Sequence, residues 1–290
     1  MFKKILFAMF LVISLPMASL WYFSSYKIQN EIALKVNDDL ARTSEIVATK
    51  IDDWSDMNLR LLNEHSNLSQ IKSGVEAQQR PILQSIVKSY EWLYLAYVIG
   101  SDGYKTARSD DEPIRKLNGE KAHFRGDRSY FKQIVNGATI GEQLVLSRTL
   151  NKPAFILCKA IKQGNKVPYD GIGALCIGST VSQLSDLVVN TKIGKTGYAV
   201  LFDSTNKVIA HGGGKVLEGQ LQDFSDSEMI KSARLNNQFM YRENEKDMIG
   251  YMKPAGRGWK LIVTQEYDDA YSSHIESNRE LLLFLTTNIR

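Results

Sequence analysis

Gly194, Lys195 and Thr196 form the stretch of this chain that most resembles a nucleotide-binding motif, because Gly-Lys-Thr also ends a phosphate-binding loop. The complete loop reads G-x-x-x-x-G-K-[ST], and its first glycine would fall on Val189. Residues 198–202 are apolar, aromatic and β-branched, which indicates a strand and not the helix that such a loop begins. The sequence therefore predicts no nucleotide site, but a strand, a turn at residues 203–206 and a second strand.

Residue types that carry out catalysis are scattered through the chain. His65, His123, His211 and His274 are far apart, and the sequence has no H-E-x-x-H, G-x-S-x-G or C-x-x-C motif. The net charge is +4 at pH 7, and the basic residues form no long run. The sequence therefore predicts neither an enzyme nor a nucleic-acid-binding protein, and it predicts no metal or cofactor.

Cys158 and Cys176 lie on two predicted strands, on either side of a connection at residues 163–170. If these strands pair symmetrically, the cysteines face each other at a distance that a disulfide can bridge. An exported domain would lie in an oxidising compartment, where such a bond persists. The alternative is a pair of buried thiols without a function.

The N-terminus indicates a membrane anchor. Residues 5–23 carry no charge and, as a helix, are long enough to cross a bilayer. Lys3 and Lys4 place the N-terminus in the cytoplasm, and the aromatic residues 21–23 lie where the outer interface is expected. The alternative is a cleaved signal peptide, but no clear small-x-small cleavage site precedes the aromatic residues. We expect this N-terminal anchor to be retained, with the sensor domain that follows it outside the cytoplasm.

Apolar residues recur at steps of three and four between residues 27 and 63, which predicts one long amphipathic helix. Its length of about 55 Å exceeds the width of a small domain. Such a helix needs neighbours, which are either a second subunit or the domains that it runs beside. Its length also suggests a homodimer. Near the other end, residues 281–285 are apolar, which indicates the start of a second membrane helix or an amphipathic terminal helix. We expect the former.

The middle of the chain contains two similar modules rich in β-strands. Residues 92–99 form a strand, followed by an SDG turn and a second strand at residues 104–108. Aligning residues 97–99 with residues 198–200 places Asp102 over Asp203, so the two hairpins have equivalent roles. A helix is predicted at residues 127–137, and further strands at residues 143–147, 154–161, 171–177, 238–241, 248–252 and 256–266. The fold class is therefore α+β: a long N-terminal helix followed by two modules, each a mostly antiparallel sheet flanked by helices.

The chain resembles the double Cache sensor domains of bacterial transmembrane receptors, which have two PAS-like modules. These domains occur chiefly in chemoreceptors (methyl-accepting chemotaxis proteins), and also in sensor kinases and diguanylate cyclases. The resemblance covers nearly the whole chain and rests on the anchor followed by a long helix, and on the motifs GDRSYFKQIVNG, LSRTLNKPAFI and GKTGYAVLFDSTNKVIAHG. It implies an anchor in the bacterial inner membrane at residues 1–27, a long helix at 28–79, a ligand-binding membrane-distal module at 80–190, a membrane-proximal module at 191–268, and a helix towards the second membrane segment at 269–290.

By this resemblance, the distal module holds a small molecule between its sheet and the covering loops. Arg128 can bind a carboxylate with two hydrogen bonds, and Tyr130 and Phe131 can form an aromatic wall. The alternative for Arg128 is an exposed arginine at the start of a helix. Further candidates for the site are Arg148, Trp92, Tyr94, Tyr97 and Asp170. The alternative for the aromatic strand residues Trp92, Tyr94 and Tyr97 is that they belong to the core.

Family members that bind amino acids have an aspartate near the end of the distal module's last strand, where this chain has Cys176, Ile177 and Gly178. The departure disfavours an α-amino acid and favours another anion, such as an organic acid, although Asp170 or Asp110 could supply a carboxylate. We therefore expect the non-catalytic sensor part of a chemoreceptor that binds a small anion, an organic acid or an amino acid. The alternatives are the sensor part of a membrane-bound diguanylate cyclase or histidine kinase, and a tethered binding protein without an output domain.

Overall fold

The computed structural model of the chain describes residues 2–110, 124–147, 149–161, 173–214 and 220–272. The predictions made for Arg148, for Asp170 and for the apolar run at residues 281–285 lie outside the described residues.

The first element is a single helix of 65 residues, α1 (Phe2–Ser66). The long N-terminal helix is therefore confirmed, and it continues from the apolar N-terminal segment through Pro16. Its buried positions from Val36 to Leu61 follow steps of three and four residues, which place their side chains on one face. Among the described residues, no helix combines the length and the apolarity that crossing a membrane requires.

Two helices that the sequence did not predict follow α1. They are α2 (Ser69–Lys72) and α3 (Glu76–Ser89), which buries Leu83 and Ile86. The prediction of one amphipathic helix over residues 28–79 is therefore too long. The helix ends after Ser66, and the chain is interrupted again at Gly74, whose φ of 69° is incompatible with a helix. The prediction missed α3 because its sequence is largely polar and includes Pro81.

The first sheet and its helices consist of β1 (Leu93–Ile99), β2 (Lys105–Arg108), α4 (Ser129–Val135), β3 (Ile140–Leu146), β4 (Pro153–Ile161), β5 (Gly173–Thr180) and α5 (Ser182–Val189). The five strands are antiparallel, in the order β2-β1-β5-β4-β3. Strands β1, β4 and β5 read as almost continuous apolar runs because both faces of the sheet are covered. β3 begins earlier than predicted, and α5 was not predicted.

The second sheet repeats this arrangement. Its elements are β6 (Tyr198–Phe202), β7 (Val208–His211), α6 (Glu228–Ser232), β8 (Asn237–Glu243), β9 (Lys246–Ala255), β10 (Trp259–Glu266) and α7 (Tyr267–Ala270). The antiparallel order is β7-β6-β10-β9-β8, which matches the first sheet strand for strand. The prediction of two antiparallel modules flanked by helices is confirmed.

The β1–β2 and β6–β7 hairpins hold the same place in their sheets. Ile99 pairs with Lys105 and Phe202 pairs with Val208, in each case after a shift of register. These pairs make Ile99 equivalent to Phe202. The alignment made from the sequence matched Ile99 with Val200, two residues earlier. The alignment matched residue types, whereas the bulges set the actual register.

Helix α1 lies behind both sheets and joins them into one hydrophobic core. Trp54 of α1 contacts Phe155 of the first sheet and Trp259 of the second, with ring centroids 6.0 and 6.1 Å apart. Phe155 and Trp259 also meet edge to face at 4.8 Å. Arg257, before β10, pairs with Glu142 of β3 (Nε to Oε2, 2.9 Å). The two modules are therefore packed directly against each other.

Candidate functional site

A cleft lies on the face of the first sheet that is turned away from α1. The apolar residues of this face form a core cluster with α4, separate from the cluster that includes α1. The cleft has about 340 Å³ of empty space, partly open to solvent, but it is narrow: the centre of a water molecule can reach only about 30 Å³ of it. It is lined by Tyr94, Leu95, Tyr97, Lys105, Arg125, Arg128, Tyr130, Val145, Leu146, Ser147, Thr149 and Ile156.

A β-bulge brings two tyrosines of β1 to this cleft. Tyr94 and Tyr97 are three residues apart, a spacing that puts side chains on opposite faces of a regular strand. The pairing of β1 with β5 shifts register between Leu93 and Leu95. Leu93 accordingly belongs to the core shared with α1, whereas Leu95 faces the cleft. Both tyrosines therefore reach the cleft because the strand is bulged.

The three cleft tyrosines present neutral hydroxyl groups. Tyr97 donates to the Tyr130 hydroxyl at 3.1 Å, which leaves the Tyr130 proton for another acceptor. Tyr94 is hydrogen-bonded to the side chain of Ser147. Burial raises the pKa of all three phenols, and that of Tyr97 lies well above its usual value. The hydroxyls therefore stay protonated at neutral pH and can donate to a bound oxygen.

Lys105, Arg125 and Arg128 give the cleft a positive charge. Lys105 and Arg125 are buried, with 3% and 7% of their surface exposed, and Arg128 is half-buried. The Lys105 ammonium lies 4.6 Å from the centre of the Tyr97 ring, and Arg125 donates to the Phe124 carbonyl oxygen at 2.7 Å. None of the described lining residues is acidic. Concentrated positive charge attracts an anion.

A tight contact between two loops positions the arginines. Gly103, at a φ of 80°, lies against Gly126, so that a Cβ on Gly103 would come within 3.0 Å of the Gly126 Cα. The Arg125 N–H donates to the Gly103 carbonyl oxygen at 2.7 Å, and the Arg128 N–H donates to the Arg125 carbonyl oxygen at 3.0 Å. Arg128 is thereby the N-cap residue of α4, with its side chain at the cleft and not fully in solvent.

The opposite wall is the turn between β3 and β4. The Ser147 hydroxyl oxygen accepts hydrogen bonds from the N–H groups of Thr149 and Leu150, both at 3.2 Å. Asn151 donates its N–H to the Ser147 carbonyl oxygen at 2.8 Å and adopts a φ of 51°, which asparagine tolerates better than most residues. The turn thereby holds Ser147 and Thr149 at the rim of the cleft.

Gly178 of β5 faces the ring of Tyr94. A Cβ at position 178 would lie 2.9 Å from three atoms of Tyr94, which is closer than a carbon atom can approach without displacing the ring. Tyr94 therefore fills the space in front of Gly178. An acidic side chain at this position would require Tyr94 to move away.

Some of the predicted site residues lie elsewhere. Phe131 is the residue after Tyr130 in α4, and its side chain is buried in the core of the first module. Trp92 precedes the bulge and donates its indole N–H to Asn58 Oδ1 of α1 at 3.1 Å, which places it on the other face of the sheet. Core packing, the alternative stated for Trp92, describes both side chains. Tyr94, Tyr97, Arg128 and Tyr130 do come together at the cleft.

Asp110 does not line the cleft but binds Arg108. The two side chains make two hydrogen bonds, of 2.7 and 2.5 Å. Burial acts to raise the pKa of the Asp110 carboxyl, but Arg108, and to a smaller extent Lys105, outweigh it and hold this pKa below its usual value. Asp110 is thus an ionised partner of Arg108 and is not positioned to bind a ligand's ammonium group.

Several cleft residues were missed by sequence reasoning, chiefly Lys105, Arg125, Ser147 and Thr149. Lys105 carried a usable signal, because a lysine in a short strand that is otherwise buried indicates a functional or paired charge. Arg125 carried none, since only the contact with the distant Gly103 brings it to the cleft.

A disulfide lies in the core beneath the cleft. Cys158 and Cys176 are directly opposite each other in the pairing of β4 with β5, and their Sγ atoms are bonded. Both residues are fully buried, in the same cluster as Tyr97 and Tyr130. Tyr97 is also the partner of Cys176 in the pairing of β1 with β5.

The groups that line the cleft are suited to binding an oxygen anion. Its guanidinium, ammonium and phenol groups all donate hydrogen bonds to an oxygen anion. Its described lining residues include no histidine or carboxylate that could accept a proton. Within the described ranges, no three His, Cys, Asp or Glu side chains come together as metal ligands would.

Two sheets of the same strand order, placed along one long helix, define a tandem PAS-like domain. The chain matches the Cache domain family (dCache_1) over residues 25–273 and belongs to that family. The resemblance inferred from the sequence motifs is therefore confirmed. A comparison with curated proteins finds no match.

Solved structures with this fold include ligand-binding domains of bacterial chemoreceptors. The Campylobacter jejuni Tlp3 domain in complex with L-valine is 17% identical (TM-score 0.63), and the match covers 83% of this chain and 96% of that one. The Pseudomonas fluorescens CtaA domain with L-isoleucine is 15% identical (TM-score 0.67; 86% and 99%). The Pseudomonas aeruginosa PctB domain with L-Arg is 16% identical (TM-score 0.63; 81% and 97%). Likeness at this identity establishes the fold.

Proposed function

We propose that this chain is the sensor part of a chemoreceptor and that it binds a small carboxylate-bearing molecule in the cleft of the first module. The observation that carries the proposal is the set of Lys105, Arg125 and Arg128 around one cleft that has no acidic residue among its described lining. A guanidinium group can bind both oxygens of a carboxylate, and the Tyr130 hydroxyl can donate a further hydrogen bond. The structural neighbours support a sensing role, since they are chemoreceptor domains with bound amino acids.

We favour an organic acid without an ammonium group. An α-amino acid needs an acceptor for its ammonium group, and the space in front of Gly178 is filled by Tyr94. Asp110 is already bound to Arg108. An α-amino acid is the second candidate, because the neighbouring structures contain L-valine, L-isoleucine and L-Arg.

The cleft is narrow, and we infer that binding is coupled to a movement of its lining. The centre of a water molecule can reach about 30 Å³ of it, so a ligand larger than a few heavy atoms requires lining side chains to move. Arg128, half-buried at the start of the seven-residue α4, can move at small cost. A ligand that binds the wider arrangement more tightly shifts the population towards it, and this difference in affinity is the whole signal.

We also propose that residues 5–23 anchor the chain in a bacterial inner membrane, with the two modules in the periplasm, and that α1 pairs with itself in a homodimer. The uncharged N-terminal stretch and the disulfide support an exported domain. Leu34 and Ile46 of α1 are 70% and 54% exposed, so a second copy of α1 can cover them. Protease access in spheroplasts tests the orientation. Sedimentation that shows only monomers at every concentration would contradict the dimer.

A thermal-shift screen of the purified full chain tests the cleft. The panel contains organic acids, α-amino acids, amines and sugars. At a hundred times its dissociation constant, a ligand should stabilise the protein by about 2.7 kcal/mol. Arg128→Ala should remove the shift, and Arg242→Ala, an exposed arginine of β8, should keep it. The proposal is wrong if only amines or sugars stabilise the chain, or if Arg128→Ala responds like the wild type.

A screen can also separate the two ligand classes. Gly178→Asp adds a carboxylate and displaces Tyr94, so it should weaken the binding of an organic acid. If α-amino acids are the wild-type ligands, the organic-acid assignment fails while the sensing role stands. The output, whether chemotaxis, a kinase or a diguanylate cyclase, does not change the expected result of either screen.

A further inference from the structure

A carboxylate from α7 occupies the turn that resembled the end of a phosphate-binding loop. Asp269 Oδ2 accepts hydrogen bonds from the N–H of Lys195 (2.8 Å), the N–H of Thr196 (3.0 Å) and the Thr196 hydroxyl (3.0 Å). The turn is closed by a bond from the Gly197 N–H to the Ile193 carbonyl oxygen at 2.8 Å. Adjacent backbone N–H groups of this kind form an anion-binding concavity. The anion that fills it is the chain's own Asp269.

The two glycines of the turn have separate roles. Gly194 has a φ of 53°, and a Cβ there would come within 2.5 Å of Asp269 Oδ2 and 2.7 Å of Gln265 Oε1. Gly194 therefore admits the carboxylate. A Cβ on Gly197 would collide with the Ile193 carbonyl oxygen, so Gly197 allows the turn to close. The spacing of the glycines reflects this contact and not a nucleotide site.

Thr196 connects the turn to both sides of the junction between β10 and α7. Its hydroxyl donates to Asp269 of α7 and accepts a hydrogen bond from the N–H of Glu266, the last residue of β10, at 3.2 Å. Burial acts to raise the pKa of Asp269, but the N–H groups of Thr196 and Lys195 and the Thr196 hydroxyl outweigh it and lower this pKa. The carboxylate is therefore ionised at neutral pH, which strengthens all three bonds.

Helix α7 has four residues, none of them fully buried, and it also touches the second module through other contacts. Ala270 and Tyr271 pack on the hydrophobic core shared by the two sheets, and Tyr271 is hydrogen-bonded to the side chain of Gln238 in β8. Tyr267 and Tyr271 stack on each other at 4.4 Å. The three bonds to Asp269 add a charge-assisted contact to this partly buried packing.

We propose that Asp269 and the Gly194–Gly197 turn form a latch that fixes α7 on the second module, and that release of the carboxylate frees α7 and the chain after it to move relative to the sheet. The latch lies at α7, the last element among the described residues. The proposal is independent of the ligand in the cleft of the first module, so either can fail without the other.

Hydrogen–deuterium exchange of the purified full chain tests the latch. Asp269→Ala should raise the exchange rates of Lys195 and Thr196 by about tenfold, since their N–H groups lose hydrogen bonds to an ionised group. Exchange at residues 266–271 should rise by about as much, because α7 loses the contact that fixes it to the turn. Asp268→Ala is the control. Asp268 is the neighbouring acid of α7 but makes none of these bonds, so this variant should exchange like the wild type.

Two further variants approach the latch from the turn. Gly194→Ala leaves Asp269 in place but puts a methyl group where its carboxylate lies, so it should raise exchange in the same two segments without changing any charge. Thr196→Ser keeps the hydroxyl and should behave like the wild type.

The latch is refuted if Asp269→Ala raises exchange at Lys195 and Thr196 and leaves residues 266–271 unchanged. It is equally refuted if exchange rises throughout β6, β9 and β10, because the contact would then stabilise the whole module and not α7. Unchanged exchange in both segments would show that the contact does not form.

Discussion

Reduction of the disulfide between Cys158 and Cys176 should destabilise the first module by an amount set by the loop that it closes. The bond links β4 to β5 across a sequence separation of 18 residues. It stabilises the fold mainly because it limits the conformations of the unfolded chain. Both sulfur atoms are fully buried, so their reduction exposes no new surface in the folded state.

The expected magnitude follows from the loop length. Closing a loop of 18 residues lowers the entropy of the unfolded chain by an amount worth about 3 kcal/mol at 25 °C. For a chain of this size, each kcal/mol changes the melting temperature by about 2–4 °C. We therefore expect reduction to lower the melting temperature by about 6–12 °C.

The assay is thermal unfolding with and without reductant, with intact mass measured on the same samples. The chain has two cysteines, so reductant has no other disulfide to act on. Cys158→Ala with Cys176→Ala should melt at the same temperature in both conditions. A mass gain of about two daltons on reduction proves the bond. If that gain occurs and the melting temperature changes by less than about 2 °C, the loop-closure reasoning is wrong.

Three other changes have defined outcomes. Gly141→Ala makes a methyl group collide with the Tyr130 carbonyl oxygen, so it should lower the free energy of unfolding, measured in urea, by about 3 kcal/mol. An unchanged urea midpoint would mean that β3 and α4 separate easily. Trp259→Ala should cost about 3–5 kcal/mol and weaken both modules together; loss confined to the second module would contradict the shared core. Asp110→Asn should be destabilising at neutral pH. Because the pKa of Asp110 is lowered in the folded protein, its ionised form contributes stability above about pH 4, and this contribution is lost as the pH falls through the folded-state pKa. The free energies of unfolding of wild type and variant should therefore converge in acid. A difference that stays constant with pH would refute the pairing with Arg108.

The sheets could be predicted from local pattern. β1, β4 and β10 are apolar runs between turn-forming residues, and this pattern depends only on residues that are adjacent in the sequence. α3 has a mixed polar sequence, and its helical state depends on packing Leu83 and Ile86 against the first sheet, which no local pattern reveals.

The cleft could be predicted only in part. Arg128 and Tyr130 follow each other in one motif, so a single recognised stretch identified both. Tyr94 joins Tyr97 at the cleft because of a bulge whose position depends on β5. Arg125 arrives through its contact with Gly103, and this contact forms only after the chain has folded.

The packing of Trp54, Phe155 and Trp259 bears on how the two modules can change over evolutionary time. The matching strand orders of the sheets indicate a duplicated unit. One face of each sheet packs against the same helix, α1, and the two sheets also contact each other. A chain cut between the modules would expose aromatic surface on each half. The cleft of the first module can therefore diverge towards new ligands, whereas residues on the α1 side of both sheets have to change in concert.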